Sequence, residues 1–339
     1  LLFIFALFLE FLGSRLRYWP VRFGALALAP FAACLWCVAL VVASDHDPMY
    51  WAWAGWAYVS AAWLFLLWRN ETTEHSSVSA LAYGVTPLLL SSILGLTAHL
   101  AVERVVHTGV WALSVAALSP AAIVGIAMTL DARNRWPMLT FRRAALIGCE
   151  PVIVILAIWS FVFSFTSDGN PYPLPYVPLM TPLDLTQLFI VLAGTAWALR
   201  LRVRDRERFE VLSIPAGALL AAVLFVHLSA VCIRSVHHFA DVPFDFDSLY
   251  ASNLVQTSLS ITWSVIALIV TALASRKKWR AIWFVGGALL ALIVVKLFVV
   301  DLASIATVAR IVSFLVVGLL LLLIGWVSPV PPRVVHVAS

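Results

Sequence analysis

Long apolar stretches recur along the whole of this chain, separated by short polar loops. A helix of about 20 apolar residues is long enough to cross the hydrocarbon core of a bilayer. Backbone N–H and C=O groups in lipid must be bonded within the segment itself, so continuous apolar runs of this length predict transmembrane helices. They do not alternate with period two, as the strands of a membrane β-barrel would. We therefore predict an all-α, polytopic transmembrane helix bundle.

The composition agrees with many spans and little else. The chain is 63% hydrophobic and 12% charged, whereas about 25% of the residues in a soluble domain are charged. A soluble globular enzyme and a disordered chain are thereby excluded. Because the chain begins at Leu1 inside an apolar run, we interpret residues 1–339 as a single transmembrane domain, the C-terminal fragment of a longer protein. The predicted blocks, about eleven in number, lie at 1–12, 23–43, 51–68, 80–101, 109–130, 144–163, 183–199, 211–233, 252–274, 281–300 and 304–327.

Basic residues are distributed unevenly between alternate loops. Of the 22 lysines and arginines, all but four lie in the C-terminal tail and the loops on its side, and the opposite loops hold Arg104 and Arg234. Cytoplasmic loops carry the excess of Lys and Arg, which predicts a cytoplasmic C-terminus for this multi-pass protein. The same rule accounts for the net charge of +5, so we expect no nucleic-acid partner. We interpret the arginine-rich segment 200–210 as a solvated or headgroup-facing turn.

Two segments on the other side are long enough to form a lid or a short interfacial helix. Segment 164–182 is rich in proline, which limits it to extended or turn conformations. Segment 234–250 holds His237, His238 and several aspartates. No spacing matches a known metal motif, so we interpret the histidines as interfacial and expect no metal or other cofactor.

The most distinctive charge pattern lies in the C-terminal hairpin. Lys296 and Arg310 lie at similar predicted depths on the last two spans, on either side of Asp301 at the turn. Charged side chains are costly in hydrocarbon, so two neighbouring cations need anions. Asp301 is a candidate for one charge, and Glu103 or Asp184 on other spans is a candidate for another. Alternatively, the anion is a bound phosphate or carboxylate. The alternative is a structural salt-bridge network with snorkelling side chains, in which Asp301 caps the last helix. The predicted substrate-binding residues are Lys296, Asp301, Arg310, Arg234, His237 and His238.

An acid beside a proline stands out within the sixth block. Glu150 precedes Pro151, and a proline inside a helix frees a backbone carbonyl one turn earlier. An intramembrane acid beside such a helix break can carry protons or cations. Pairing of Glu150 with Arg142 or Arg143 is the alternative.

The end of the chain resembles a large bacterial family. The matching residues are 296–302, 310–314, a leucine-rich run, Gly325-Trp326 and the prolines between 329 and 332. This pattern is similar to the end of the domain-of-unknown-function family DUF2339 of predicted membrane proteins. The resemblance implies a bacterial inner-membrane location. It implies no chemistry, because the family has no established activity or catalytic residues.

Three function classes remain open. The first is binding or translocation of an anionic lipid-linked or envelope substrate at the outer leaflet, with membrane lipids as partners. The second is a membrane-embedded transferase that uses external acids such as Asp45, Asp47, Asp241 or Asp245. The third is a non-catalytic membrane scaffold.

Overall fold

A computed structural model describes residues 2–16, 52–71 and 76–296, together with the single positions 21, 24, 28, 31, 318, 319 and 322. The regular secondary structure of these residues is entirely helical, which confirms the all-α prediction. The helices are α1 (Leu2–Leu16), α2 (Ala52–Asn70), α3 (Ser76–Glu103), α4 (Trp111–Ala132), α5 (Arg142–Thr166), α6 (Pro182–Arg204), α7 (Arg206–Ala240), α8 (Phe246–Ala251), α9 (Asn253–Arg276) and α10 (Arg280–Lys296).

Six of these described helices, α3 to α7 and α9, are long and apolar enough to cross a membrane. Every helix except α8 lies on one of the predicted apolar blocks. The blocks 23–43 and 304–327 fall almost entirely outside the described residues. The total of about eleven spans and the side on which the C-terminus lies therefore stay predictions.

The helices extend further than the apolar blocks where arginines follow them. α6 continues to Arg204 and α7 begins at Arg206, so Asp205 alone separates two helices where a longer turn was predicted. Arginine is a good helix former and its long side chain reaches polar surroundings from an apolar helix, so the helix need not end with the apolar run. Residues 167–181, here called the proline segment, contain no helix, as predicted. α6 then begins at Pro182, after the N-cap Thr181.

The chain divides into two compact units, Leu1–His227 and Leu228–Ser339. In the first unit, α4 packs against α3, α5 and α6, and α3 packs against α5. The second unit contains α8 against α9 and α9 against α10, with Ala267, Leu290 and Ile293 buried between the last two. The largest core in the first unit is formed by α4, α5 and α6 and includes Ala121, Val124, Leu146, Val152 and Ile190.

Small residues allow the helices of the first unit to approach closely. A Cβ atom on Gly95 of α3 would lie 2.7 Å from the carbonyl oxygen of Ala116 on α4. The contact of Gly148 of α5 with Gly84 of α3 is tighter still, because a Cβ atom on Gly148 would overlap the carbonyl oxygen of Gly84. Membrane helices associate largely through such van der Waals packing of small residues, because lipid gives little hydrophobic drive between them.

The two ends of the first unit differ in charge. At one end, the last turns of α4 and α6 meet the first turns of α5 and α7, and Asp131 contacts Arg142 and Arg204 there. At the other end, Trp111 contacts the proline segment. We call the first the arginine-rich end, since it holds Arg133, Arg135, Arg142, Arg143, Arg200, Arg202, Arg204, Arg206 and Arg208.

Candidate functional site

A cavity of 740 Å³ opens between α4, α6 and the proline segment. Its walls are almost entirely apolar, and the proline segment closes one side. From α4 come Val115 and Leu118, from α6 Leu185, Phe189 and Leu192, and from the proline segment Leu174, Val177 and Met180.

The proline segment is held firmly against the start of α4. Trp111 Nε1 donates hydrogen bonds to the carbonyl oxygens of Pro171, at 3.2 Å, and Tyr172, at 2.9 Å. Gly109 has φ +78°, and a Cβ atom there would lie 2.8 Å from the carbonyl oxygen of Asn170. Only glycine adopts this conformation at low cost and also permits the close approach. The cavity is therefore formed by a docked segment.

The hydroxyl groups in the cavity wall already have partners. Ser114 Oγ donates to the carbonyl oxygen of Val110 at 2.7 Å. Thr186 Oγ1 donates to the carbonyl oxygen of Pro182 at 2.8 Å. A ligand that brought polar groups into this cavity would lose hydration without gaining these donors, so the cavity favours hydrocarbon.

A chain of buried polar groups joins α5, α6 and α7. Gln187 Nε2 donates to the carbonyl oxygen of Ser160 and to Ser164 Oγ, both at 3.0 Å. Gln187 Oε1 lies 2.7 Å from His227 Nδ1. Because Nε2 is the amide donor, Oε1 accepts and Nδ1 of the histidine carries the proton. These side chains are at most 2% exposed, so their hydrogen bonds fix the positions of the three helices inside the unit.

Three arginines share one buried carboxylate at the arginine-rich end. Asp131 is fully buried at the end of α4. Arg142 Nε lies 3.0 Å from Oδ1, Arg204 Nε lies 3.3 Å from Oδ2, and Arg200 Nε lies 3.9 Å from Oδ2. The Arg142 Nε–H is directed to the carbonyl oxygen of Met138, so its contact with Oδ1 is electrostatic.

Asn134 holds two of these arginines in place. Its Oδ1 accepts from Arg142 Nη2 at 2.9 Å and from Arg204 Nη2 at 3.0 Å. Asn134 has φ +47°, a left-handed conformation that asparagine adopts more readily than most residues. Arg200 donates no hydrogen bond to any residue in the described part of the chain.

Neighbouring charges at this end form separate pairs. Arg208 Nε and Nη2 donate to the two oxygens of Glu150, both at 2.6 Å. Arg143 Nε lies 2.6 Å from Asp205 Oδ2. The predicted pairing of Glu150 with Arg142 or Arg143 is therefore wrong, because the first turn of α7 brings Arg208 to Glu150. The predicted helix break at Pro151 is wrong too, since α5 runs through it without interruption.

The second unit holds those residues of the predicted substrate site that the structure describes. Lys296 Nζ donates to the carbonyl oxygen of Gln256 at 2.9 Å and to Ser260 Oγ at 2.7 Å, and it lies 6.0 Å from the centre of the Trp263 ring. Asp301 and Arg310 lie outside the described residues. Their grouping with Lys296 stays a prediction.

The remaining predicted residues lie at the end of α7. Arg234 is fully buried. His237 Nδ1 lies 2.6 Å from the carbonyl oxygen of Val242, and the His237 and His238 rings are 4.8 Å apart. Within the described ranges, no three His, Cys, Asp or Glu side chains come together as a metal site would require.

The acids proposed for a transferase are only partly described. Asp45 and Asp47 lie outside the described residues. Asp245 is the N-cap of α8 and accepts the backbone N–H of Ser248 at 2.9 Å. Hydrogen bonds from Ser248 hold the pKa of Asp245 below its ordinary value.

Sequence reasoning missed both the cavity and the arginine cluster. The cavity depends on where the proline segment docks, and no local pattern encodes that. The cluster had a weak signal, because Asp131 ends an apolar run and Arg200 and Arg204 lie four residues apart on one helix face.

The family described as "Predicted membrane protein (DUF2339)" matches residues 1–331 of this chain. The match extends far beyond the C-terminal residues that carried the resemblance in the sequence. Comparison with curated proteins finds no match. Comparison with solved structures finds none either.

Proposed function

The chain belongs to the DUF2339 family of predicted membrane proteins, and on that premise we propose that it binds a lipid or lipid-linked envelope substrate through the cavity under the proline segment. The observation that carries this proposal is the cavity itself, with a volume of 740 Å³ and an apolar lining. Ligand sites commonly have volumes of about 300–1,000 Å³.

The lining selects the part of the substrate that enters. The hydroxyls of Ser114 and Thr186 are engaged with backbone carbonyls, so the wall recognises shape and apolar surface. An acyl or isoprenoid chain is the envelope component with that chemistry. Such a chain enters from bilayer hydrocarbon and not from water, so the fit of the chain to the wall and its van der Waals contacts would decide its binding.

The distribution of arginines supports a proposal for the leaflet that the cavity faces. The cavity lies at the end of the first unit opposite the arginine-rich end. By the positive-inside rule the arginine-rich end is cytoplasmic. The cavity would then face the outer leaflet of a bacterial inner membrane.

The second unit carries a separate proposed site for an anionic group. It consists of Lys296, Asp301 and Arg310, together with Arg234, His237 and His238. In support, Lys296 Nζ donates hydrogen bonds to the carbonyl oxygen of Gln256 and to Ser260 Oγ, which position the ammonium group. Replacing Lys296 and Arg310 together by leucine should weaken retention of co-purifying phosphatidylglycerol. Unchanged retention would make the pair structural.

Photolabelling tests the cavity directly. The full chain would be reconstituted in phosphatidylcholine vesicles containing phosphatidylglycerol with a diazirine at the end of one acyl chain. After illumination, labelled peptides are mapped by mass spectrometry. Preferential labelling of 111–118 and 185–192 over the exposed helix surface around Ile158 is expected.

A cavity-filling variant supplies the matched comparison. Leu118 lines the cavity and is 38% exposed, so tryptophan there would fill the space without entering the core. Leu118→Trp should lower labelling of the cavity peptides several-fold. Ile158→Trp, on a 59% exposed position away from the cavity, should leave it unchanged. Equal labelling in both variants would refute the proposal.

A further inference from the structure

We propose that the arginine-rich end holds a second lipid site, in which Arg200, supported by Arg142 and Arg204, binds the phosphate of an anionic phospholipid. The acyl chain of that lipid would lie in a groove between α4 and α6. The groove adjoins the cavity under the proline segment at Phe189 and Leu192, but its charged end at Arg200 is at the opposite end of the first unit. The proposal rests on that charged end and not on the proposed function.

The groove is shaped for hydrocarbon and ends at an arginine. It has a volume of 460 Å³ and a largely apolar lining. Gly125 and Ile126 contribute from α4, and Leu192 and Ala196 from α6. Arg200, two helical turns beyond Leu192, is the charged residue of the lining. An acyl chain lying along α6 would therefore bring its headgroup to this guanidinium.

The arginines around Asp131 carry more positive charge than its carboxylate can neutralise. Three guanidinium groups surround the single carboxylate of Asp131, whereas Arg143, Arg206 and Arg208 each have a carboxylate partner. One carboxylate cannot neutralise three cations. The excess positive charge lies at the mouth of the groove, and basic pockets between membrane helices are suited to phosphate headgroups.

Arg200 is the member of the cluster that is able to reach a ligand. Its Nε lies 3.9 Å from Asp131 Oδ2, its side chain is 32% exposed, and it donates no hydrogen bond to any described residue. Arg142 and Arg204 are fixed by Asn134 Oδ1. Arg142 and Arg204 thus keep the electrostatic potential positive at this point, and the planar guanidinium group of Arg200 presents its N–H donors to phosphate.

The test measures which lipids the full chain retains. The protein would be released from nanodiscs that contain equimolar phosphatidylglycerol and phosphatidylcholine, and bound lipids counted by native mass spectrometry. The wild type should retain phosphatidylglycerol preferentially. Arg200→Gln should lower the ratio of retained phosphatidylglycerol to phosphatidylcholine about fivefold.

Arg202 provides a control with the same change of charge. It is two residues from Arg200 on α6, makes no ion pair with a described residue, and borders a different cavity. Arg202→Gln should leave the lipid ratio unchanged. An equal fall in both variants would mean that general surface charge attracts the lipid, and the site would be refuted.

A groove variant separates the acyl chain from the headgroup. A Cβ atom on Gly125 would meet only the ring of Phe189, at 3.8 Å, so Gly125→Leu projects into the groove without striking backbone. This variant should lower the number of lipids retained. Unchanged occupancy would overturn the acyl-chain part of the proposal.

Inorganic phosphate distinguishes a lipid site from a free-anion site. Phosphate added at the concentration of the nanodisc phosphatidylglycerol should not displace that lipid, because it lacks the acyl chain. Full displacement would show that the arginines bind a free anion, and it would overturn the lipid proposal. Neither result depends on labelling of the cavity under the proline segment.

Discussion

Gly148 of α5 and Gly84 of α3 meet where the two helices cross, and a Cβ atom on Gly148 would overlap the carbonyl oxygen of Gly84. The same crossing joins α5, the helix that carries Glu150, Ser160 and Ser164, to α3. Backbone contact at this point therefore sets how close α3 and α5 approach.

Adding a methyl group at this crossing should separate the helices. We expect Gly148→Ala to lower the free energy of unfolding by about 1–3 kcal/mol, because overpacking forces backbone shifts. Unfolding by SDS in mixed micelles, followed by circular dichroism, measures the change. Gly217→Ala is the control, since nothing lies within 4 Å of its added Cβ and alanine favours a helix. An unchanged transition for Gly148→Ala would contradict the observed crossing.

Removing the shared carboxylate should destabilise the arginine-rich end. Asp131→Asn leaves three guanidinium groups near each other without an anion, and breaking a buried ion pair costs about 3–5 kcal/mol. The arginines are 25–32% exposed, so the lower end of this range is expected. Glu210→Gln should cost less than about 0.5 kcal/mol, because Glu210 and Arg206 form an exposed pair. SDS unfolding measures the free energy of unfolding of both variants. Equal losses would contradict the assignment of Asp131 as the shared partner of the three arginines.

The contact between Gln187 and His227 should appear as an energetic coupling. Single and double replacements by leucine form a double-mutant cycle, which removes the contributions of the other contacts that each residue makes. Hydrogen bonds between membrane helices contribute about 0.6 kcal/mol on average and up to about 1.7 kcal/mol. A coupling near the upper value is expected, since the Nδ1–Oε1 distance is 2.7 Å and both groups are buried. A coupling of zero would show that the two side chains act independently.

The N-cap of α8 should make that helix sensitive to acid. Ser248 lowers the pKa of Asp245, so the ionised carboxylate stabilises α8 at pH values above the unfolded pKa. This contribution is lost as the pH falls through the lowered pKa of the folded state. Carboxyl-detected NMR titration of aspartate-labelled protein in micelles should give a pKa below the ordinary value. Ser248→Pro removes the donor N–H and should raise that pKa; identical titration curves would contradict the cap.

The helices were predictable because each one forms its backbone hydrogen bonds within its own segment. The apolar run at 144–163 predicted α5, which extends from Arg142 to Thr166, and the prolines of 164–182 predicted the absence of a helix in the proline segment. These features depend on residues that are neighbours in the sequence. The predicted substrate residues Lys296, Arg234, His237 and His238 lie in the second unit, and their role stays a proposal.

The partners of charged side chains were not predictable in the same way. Glu150 and Arg208 are separated by 58 residues, and Arg204 and Asp131 by 73. Arginine side chains are long and many of them occur at this end, so the sequence allows several pairings of similar energy. Helix packing chooses among them.

The amino-acid sequence alone is enough to show that this chain is a membrane protein of helices, because the lengths and continuity of apolar runs decide which backbone can exist in lipid. It also determined the contrast in charge between the two ends of the first unit. Three features depend instead on how the helices pack: three arginines share Asp131, a docked proline segment forms a cavity, and a groove ends at Arg200. Those features arise where surfaces from distant helices meet, and their energies depend on distances that no single segment determines.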